Sequence, residues 1–356
     1  MAARSIDPDR TGIALGARHF SACILQRPTI GWIEADCTEI AGSPPARHAL
    51  AALRHAWPVG LRTRAFSLGA GINEAALADL ADLDGSLAPA RITVPLAWPQ
   101  DEGPFPGALL PLPYDETTLA RVARDVDAIQ DRLRRTILVE NPPARRARLN
   151  SAAAEAEFLA ALVRRTGAGI ACDLANLHVA TRNHGGDAQS WLGALPGPAI
   201  GAIRIAGVDR VALADDEWLI ADGTGPVTGA VWALHGIATR CFPGAPSLLA
   251  WTAAGPRLER LVAEATRADR WRRAALDVAM VYFDDDAEPQ RGARGEVIPQ
   301  FGSGAVVARS TMAAIQRQGA LNPPGEPPGR APSGRTAHVG GAGAAAEPTA
   351  PLRVHA

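Results

Sequence analysis

Eight short apolar runs, each followed by sequence of helical pattern, recur from Gly12 to Trp251 and leave few folds open to this chain. The runs are Gly12–Ala17, Thr29–Ala35, Gly60–Phe66, Arg91–Ala97, Thr136–Glu140, Ile170–Leu174, Ile200–Ala206 and Ser247–Trp251. Most are apolar on both faces, the pattern of strands in a parallel sheet covered by helices. Helical stretches between them include Pro45–Ala56, Asn73–Leu83, Asp115–Leu133, Ser151–Arg165, Val227–Thr239 and Arg257–Arg267. Asp115–Leu133 opens on Asp115-Glu116-Thr117-Thr118, which places acids where first-turn N–H groups favour them. Ser151–Arg165 follows an N-cap-like Asn150 or Ser151 and sets Phe158, Leu159 and Leu162 at helical spacing. Eight such units over about 270 residues indicate an α/β fold, a (β/α)8 TIM barrel. The residues at the C-terminal strand ends then share one rim, and Glu34, Arg62, Pro95, Glu140, Asp173, Arg204 and Ala250 converge there.

Composition narrows the function classes. The chain has 356 residues, 47% of them hydrophobic, enough for one large barrel at residues 1–275 with an appendage. The appendage reads as an irregular or partly helical extension at 276–320, with a short helix from Gly304 to Gln318, then a tail at 321–356. Pro, Gly and Ala dominate that tail, a composition that leaves a segment disordered. All 36 basic residues are Arg, which excludes a Schiff-base or P-loop lysine, and a net charge of −1 gives no reason to expect nucleic acid. Cys23, Cys37, Cys172 and Cys241 show no CxxC spacing and read as buried thiols. There is no apolar signal segment at the start and no uninterrupted membrane-length apolar run, so the expectation is a cytoplasmic protein with no membrane partner.

Two segments carry most of the chemical information: Ile137-Leu138-Val139-Glu140-Asn141-Pro142, and Cys172-Asp173-Leu174-Ala175-Asn176 continuing to Asn183-His184-Gly185. Around them lie Gly16-Ala17-Arg18-His19-Phe20, Trp32-Ile33-Glu34, Ser67-Leu68-Gly69, Leu110-Pro111-Leu112-Pro113-Tyr114 and Ile205-Ala206-Gly207. In this order and spacing, from about Gly12 to Glu264, the chain resembles the multinuclear non-heme iron-dependent oxidases, the methanobactin-biosynthesis oxidase-like family (domain of unknown function 692). The resemblance implies a TIM barrel whose strand ends present histidines and carboxylates to a cluster of iron ions. It also implies action on a ribosomal precursor peptide, usually beside a partner protein. Imidazole and carboxylate suit non-heme iron, and open positions on the metal admit oxygen and substrate.

This chain departs from that pattern at most ligand positions. Arg62 stands for a histidine before the Ser-Leu-Gly turn, and Val94-Pro95-Leu96 for Glu-His-Leu. Arg204-Ile205-Ala206-Gly207-Val208 stands for His-Leu-Ala-Gly-His, Asp222-Gly223-Thr224-Gly225 for Asp-Thr-His-Gly, and Ala250 for a carboxylate. Glu140, Asp173, Asn176, Asp222 and His19 remain. Arginine stays protonated and lends no lone pair to a metal. Removing cations would leave the retained acids repelling one another, so Arg62 and Arg204 are expected to pair with them at the mouth.

The other candidates have plainer readings. His19 fits a hydrogen-bonded structural histidine, and His178 and His184 fall in a loop after the sixth strand. His48, His55 and His235 fall on helices. Trp32, Trp98 and Trp251 sit at strand ends, as core-edge side chains or as walls of a peptide pocket. The expectation is a catalytically degenerate member that binds a precursor peptide or a maturation-enzyme partner at Arg62, Glu140, Asp173, Asn176, Arg204, Asp222 and His19, with no cofactor. The alternative is an iron-dependent oxidase with a reduced site built on Glu140, Asp173, Asp222, Asn176 and His19. A third reading takes Arg62 and Arg204 as binders of an anionic small molecule.

Overall fold

A computed structural model describes residues 4–99, 109–110, 112–142, 152–213, 216–221, 223, 225–251 and 256–283. Eight of its strands form the barrel: β1 (Gly12–Ala14), β2 (Ile33–Asp36), β3 (Val59–Arg62), β4 (Arg91–Pro95), β5 (Leu138–Glu140), β6 (Gly169–Asp173), β7 (Ile200–Ile205) and β8 (Ser247–Leu249). Each pairs in parallel with its neighbours in sequence, and β8 closes on β1. The expected eight-stranded barrel is therefore present, with all strands but β6 shorter than the apolar runs that announced them.

Side-chain caps explain how several strands hand over to helices. Asp36 is both the last residue of β2 and the N-cap of Cys37–Ala41, accepting from the Thr38 N–H. Asp173 does the same between β6 and Leu174–His184, accepting from the Asn176 N–H. Ser43, Asn73, Asp115 and Asp187 cap Pro44–Leu53, Glu74–Leu87, Glu116–Leu133 and Ala188–Ala194 in the same way. Each cap satisfies an N–H that the helix itself leaves free.

The immediate turn at Asp173 corrects one expectation. His178 and His184 lie on the helix Leu174–His184, not in a loop. His55 lies in the turn after Pro44–Leu53 rather than on a helix. The last helix runs Leu258–Phe283, well past the expected end at Arg267. An antiparallel hairpin, Asp209–Leu213 with Asp216–Ile220, follows β7. The sequence does not announce it, because Ala214-Asp215 between the two runs holds neither the Gly nor the Asn that marks a tight turn. Cys23, Cys37 and Cys172 are buried as expected, but Cys241, the last residue of Gly229–Cys241, is exposed. Asp222, Gly304–Gln318 and the 321–356 tail lie outside the described residues. No helix among those described is long and apolar enough to cross a membrane.

The barrel interior is stacked in layers by the two-residue repeat of strands. Its floor is Trp32, Leu138, Ala171, Ala202 and Leu248, with Ile6 against them. Trp32 is therefore a floor residue and not a wall of the mouth. Its indole Nε1 donates to the Ser247 carbonyl at 3.1 Å. Small residues make room for it: a Cβ on Gly12 would stand 2.4 Å from the indole ring. Two residues further along the same strands, the interior turns charged.

Candidate functional site

Glu34, Arg62, Glu140, Asp173 and Arg204 stand two residues above Trp32, Gly60, Leu138, Ala171 and Ala202. The strand register sets them side by side, with Asp173 opposite Arg204 and Glu140 opposite Pro95. Arg62 grips Glu140 with a two-point fork, Nε to Oε2 and Nη2 to Oε1, each at 2.7 Å. Arg204 lies between three acids. Its Nη1 donates to Glu34 Oε1, and its Nε lies 3.3 Å from Glu140 Oε2 and 3.5 Å from Asp173 Oδ2. Both arginines turn inward to the acids, as the charge argument from sequence required. All five side chains are deeply covered, Arg62 least so at 16% exposure.

Electrostatics separate the acids. Burial opposes ionisation of Glu140, but the Arg62 and Arg204 charges outweigh it and hold its carboxyl below the usual range. Burial and the neighbouring Glu140 charge push the Asp173 carboxyl up to about 6, against the pull of Arg204. Beneath them Arg91 projects over the Trp32 ring, its guanidinium carbon 5.9 Å from the ring centroid. Burial lowers its pKa to about 10, and Glu34 works against that shift, so Arg91 keeps its charge at neutral pH. Three carboxylates and three guanidiniums thus share the lumen among the described residues.

Other candidates from the sequence take structural places. Asn176 donates through Nδ2 to the Asn141 carbonyl at 2.8 Å. Asn141 in turn clasps the Asp173 backbone, accepting from its N–H at 2.6 Å and donating to its carbonyl at 3.0 Å. These two amides bolt the end of β5 to the end of β6 and so orient Glu140 and Asp173. The His19 ring is buried and meets the Pro256 carbonyl through Nε2 at 2.9 Å. His235 packs within the fold, Nε2 2.8 Å from Ser247 Oγ. Trp251 is buried and stacks against Arg260, while the side chain of Trp98 lies outside the described residues. Glu34 is missing from the expected binding set although the Trp32-Ile33-Glu34 segment pointed to it. Its alternation with buried Trp32 is the signal that places it inside the barrel.

Residues 10–273 match the family model described as RiPP precursor modification enzyme MbnB/TglH/ChrH. The chain is 36% identical over 270 residues to a UPF0276 protein of Anaeromyxobacter sp. (strain Fw109-5), covering 74% of this chain and 93% of that one. It is 33% identical over 263 residues to a UPF0276 protein of Acaryochloris marina (strain MBIC 11017), with 73% and 94% covered. Among solved structures it is similar to a xylose isomerase-like TIM barrel protein from Mycobacterium smegmatis, with TM-score 0.53 and 11% identity over 78% of this chain and 99% of that one. An L-ribulose 3-epimerase gives TM-score 0.52 and 13% identity, with 81% and 100% covered. At such identities these two structures speak for the fold alone.

Among the described residues, the side chains at this mouth do not offer the histidine-and-carboxylate set that the family resemblance implies for an iron cluster. Each inward carboxylate already faces a guanidinium, and Arg204 occupies the space between three of them. Among the described residues no trio of His, Cys, Asp or Glu is disposed to hold a metal ion.

Proposed function

The chain belongs to the family of RiPP precursor modification enzymes described as MbnB/TglH/ChrH, and on that premise we propose that it is a catalytically degenerate member. In this reading it retains the peptide-facing barrel of its relatives and binds a ribosomal precursor peptide, or a maturation-enzyme partner, without an iron cluster. It works in the cytoplasm and has no nucleic-acid or membrane partner.

One observation carries the reading: the Arg204 guanidinium sits among Glu34, Glu140 and Asp173, with Arg62 forked onto Glu140. A cluster of buried carboxylates is stable only beside compensating positive charge. A metal can supply that charge, and so can guanidinium groups whose donors match carboxylate geometry. With arginines in place the carboxylate oxygens face guanidinium donors, and the arginines themselves lend no lone pair to a Lewis acid. Recognition of a ligand is the chemistry that remains.

Elemental analysis of protein made in iron-rich medium, without a chelating tag, tests the metal half. The expected result is far less than one iron ion per chain, with a melting temperature indifferent to chelator. One or more tightly held ions per chain would overturn the reading in favour of an iron-dependent oxidase with a reduced site. Co-purification from the native host, followed by mass spectrometry, tests the binding half. The expected capture is a short ribosomal peptide or a maturation enzyme, and recovery of neither would sink it.

A further inference from the structure

We propose that the outer edge of Arg62, with Arg64 beside it, forms a subsite for a carboxylate group of the ligand that the mouth binds. The inference rests on the peptide-binding reading above and names the chemistry by which the mouth would hold its ligand.

A guanidinium carries five N–H donors arranged as more than one fork. Arg62 spends its inner fork on Glu140, through Nε and Nη2 at 2.7 Å each. The Nη1 hydrogens and the second Nη2 hydrogen lie along the opposite edge, and Glu140 is the one hydrogen-bond partner of Arg62 among the described residues. Arg62 is also the outermost member of the charged layer, with its side chain 16% exposed against 7% for Arg204 and 2% for Glu140. The uncommitted edge is therefore the part of this layer that meets the mouth.

Two further features favour an anion there. The fork to Glu140 holds the Arg62 side chain in place, so a ligand meets a donor pair already ordered. Arg64, just beyond the end of β3, adds a second cation whose side chain is 44% exposed. It stands two residues past Arg62 on the same segment and meets Asp36 at the end of the neighbouring strand β2. Asp36, the acid at the end of β2, is already engaged. Asp36 Oδ1 accepts from the N–H and hydroxyl of Thr38, and Oδ2 faces Arg64 Nε at 3.3 Å. With Asp36 engaged, the outer edge of Arg62 is left open, and a planar two-oxygen group matches that fork.

The first probe is sodium acetate, titrated into uniformly 15N-labelled full-length protein at fixed ionic strength set with sodium chloride. The arginine side-chain resonances are followed, with Arg62 assigned by its loss in Arg62→Lys. A saturable shift of the Arg62 signal, weakened several-fold in Arg64→Gln, is expected. A shift that never saturates, or one equal in chloride alone, overturns the subsite. Should Arg62→Lys fail to fold, the Arg62 resonances are assigned by through-bond correlations in 13C,15N-labelled parent protein, and the comparison with Arg64→Gln, a change of an exposed side chain, still decides the outcome.

The second probe is the captured precursor peptide, made as a free C-terminal acid, as its C-terminal amide, and with its Asp and Glu residues changed to Asn and Gln. A charge-assisted contact predicts that one of the two changes weakens binding about tenfold, and which change does so identifies the C-terminus or a side chain as the source. Equal affinity of all three forms overturns the carboxylate subsite and leaves peptide binding standing. Saturable acetate binding with no peptide binding supports the subsite and overturns the peptide reading instead.

Discussion

Replacing Arg204 by Met removes one positive charge from between Glu34, Glu140 and Asp173 while keeping a side chain of similar length. Stripping a buried charge set of one partner typically costs about 3–5 kcal/mol, and urea unfolding of Arg204→Met is expected to show a loss of that order. Adding Glu34→Gln, which removes the carboxylate that Arg204 bonds directly, should recover much of it, since Glu140 and Asp173 then face the two guanidiniums that remain, Arg62 and Arg91. Asp173 gives a second prediction through pH. Its folded pKa of about 6 lies above the ordinary aspartate value, so the folded state binds this proton more tightly than the unfolded chain does. Stability from this group is therefore full below about pH 4 and falls as pH rises through about 6, by an amount on the order of 1–3 kcal/mol. Asp173→Asn keeps an oxygen for the Asn176 N–H and should melt higher than the parent at pH 8, with the gap closing near pH 4. A constant gap across that range would assign the effect to something other than the proton. Arg62, Glu140, Asp173 and Arg204 were legible from sequence because they stand at strand ends in recognisable segments. Asn141 was not singled out, because an amide that braces backbone has no chemical signature apart from its neighbours in space.

Among the elements, the turn after β3 depends on one acid from a distant helix. Asp125, on Glu116–Leu133, accepts the Gly69 and Gly71 N–H groups through a single oxygen at 2.8 and 3.0 Å. Asp125→Ala leaves those donors without their acceptor and is expected to cost about 1–3 kcal/mol, with hydrogen exchange accelerating at Gly69 and Gly71. The Ser67-Leu68-Gly69 segment thus reflects a loop anchor as well as a family pattern. Gly207 has a similar explanation, since a Cβ there would stand 2.3 Å from the Gly225 carbonyl oxygen where that loop folds back. Most strands and helices were legible from apolar spacing, whereas the caps at Asp36, Ser43, Asn73, Asp173 and Asp187 emerged only in the structure, and the cap expected at Asn150 or Ser151 lies outside the described residues. The Asp209–Leu213 and Asp216–Ile220 hairpin was not, and neither was the full length of Leu258–Phe283. Hairpin pairing is a contact between segments, and an almost continuous apolar run such as Ala275–Phe283 carries no periodicity that separates helix from strand.

For the whole molecule, the floor of the barrel is the stability test. Trp32→Ala empties the space that Gly12 and Gly60 leave for the indole, and equilibrium unfolding is expected to show a loss of about 3–5 kcal/mol. Introducing Ala at Gly12 should also destabilise, since its Cβ would strike the same ring. The sequence by itself determined the barrel, because strand and helix periodicities are local and repeat eight times. It determined the inward charge too, since the two-residue repeat that buries Trp32, Leu138 and Ala171 buries Glu34, Glu140 and Asp173 above them. Only the tertiary structure decided which arginine meets which acid. Arg204 reaches Glu34 across 170 residues of sequence and Arg62 reaches Glu140 across 78. Those pairs are set by the closure of the sheet and the register of strands that are not neighbours in the barrel, quantities that no local stretch of residues encodes.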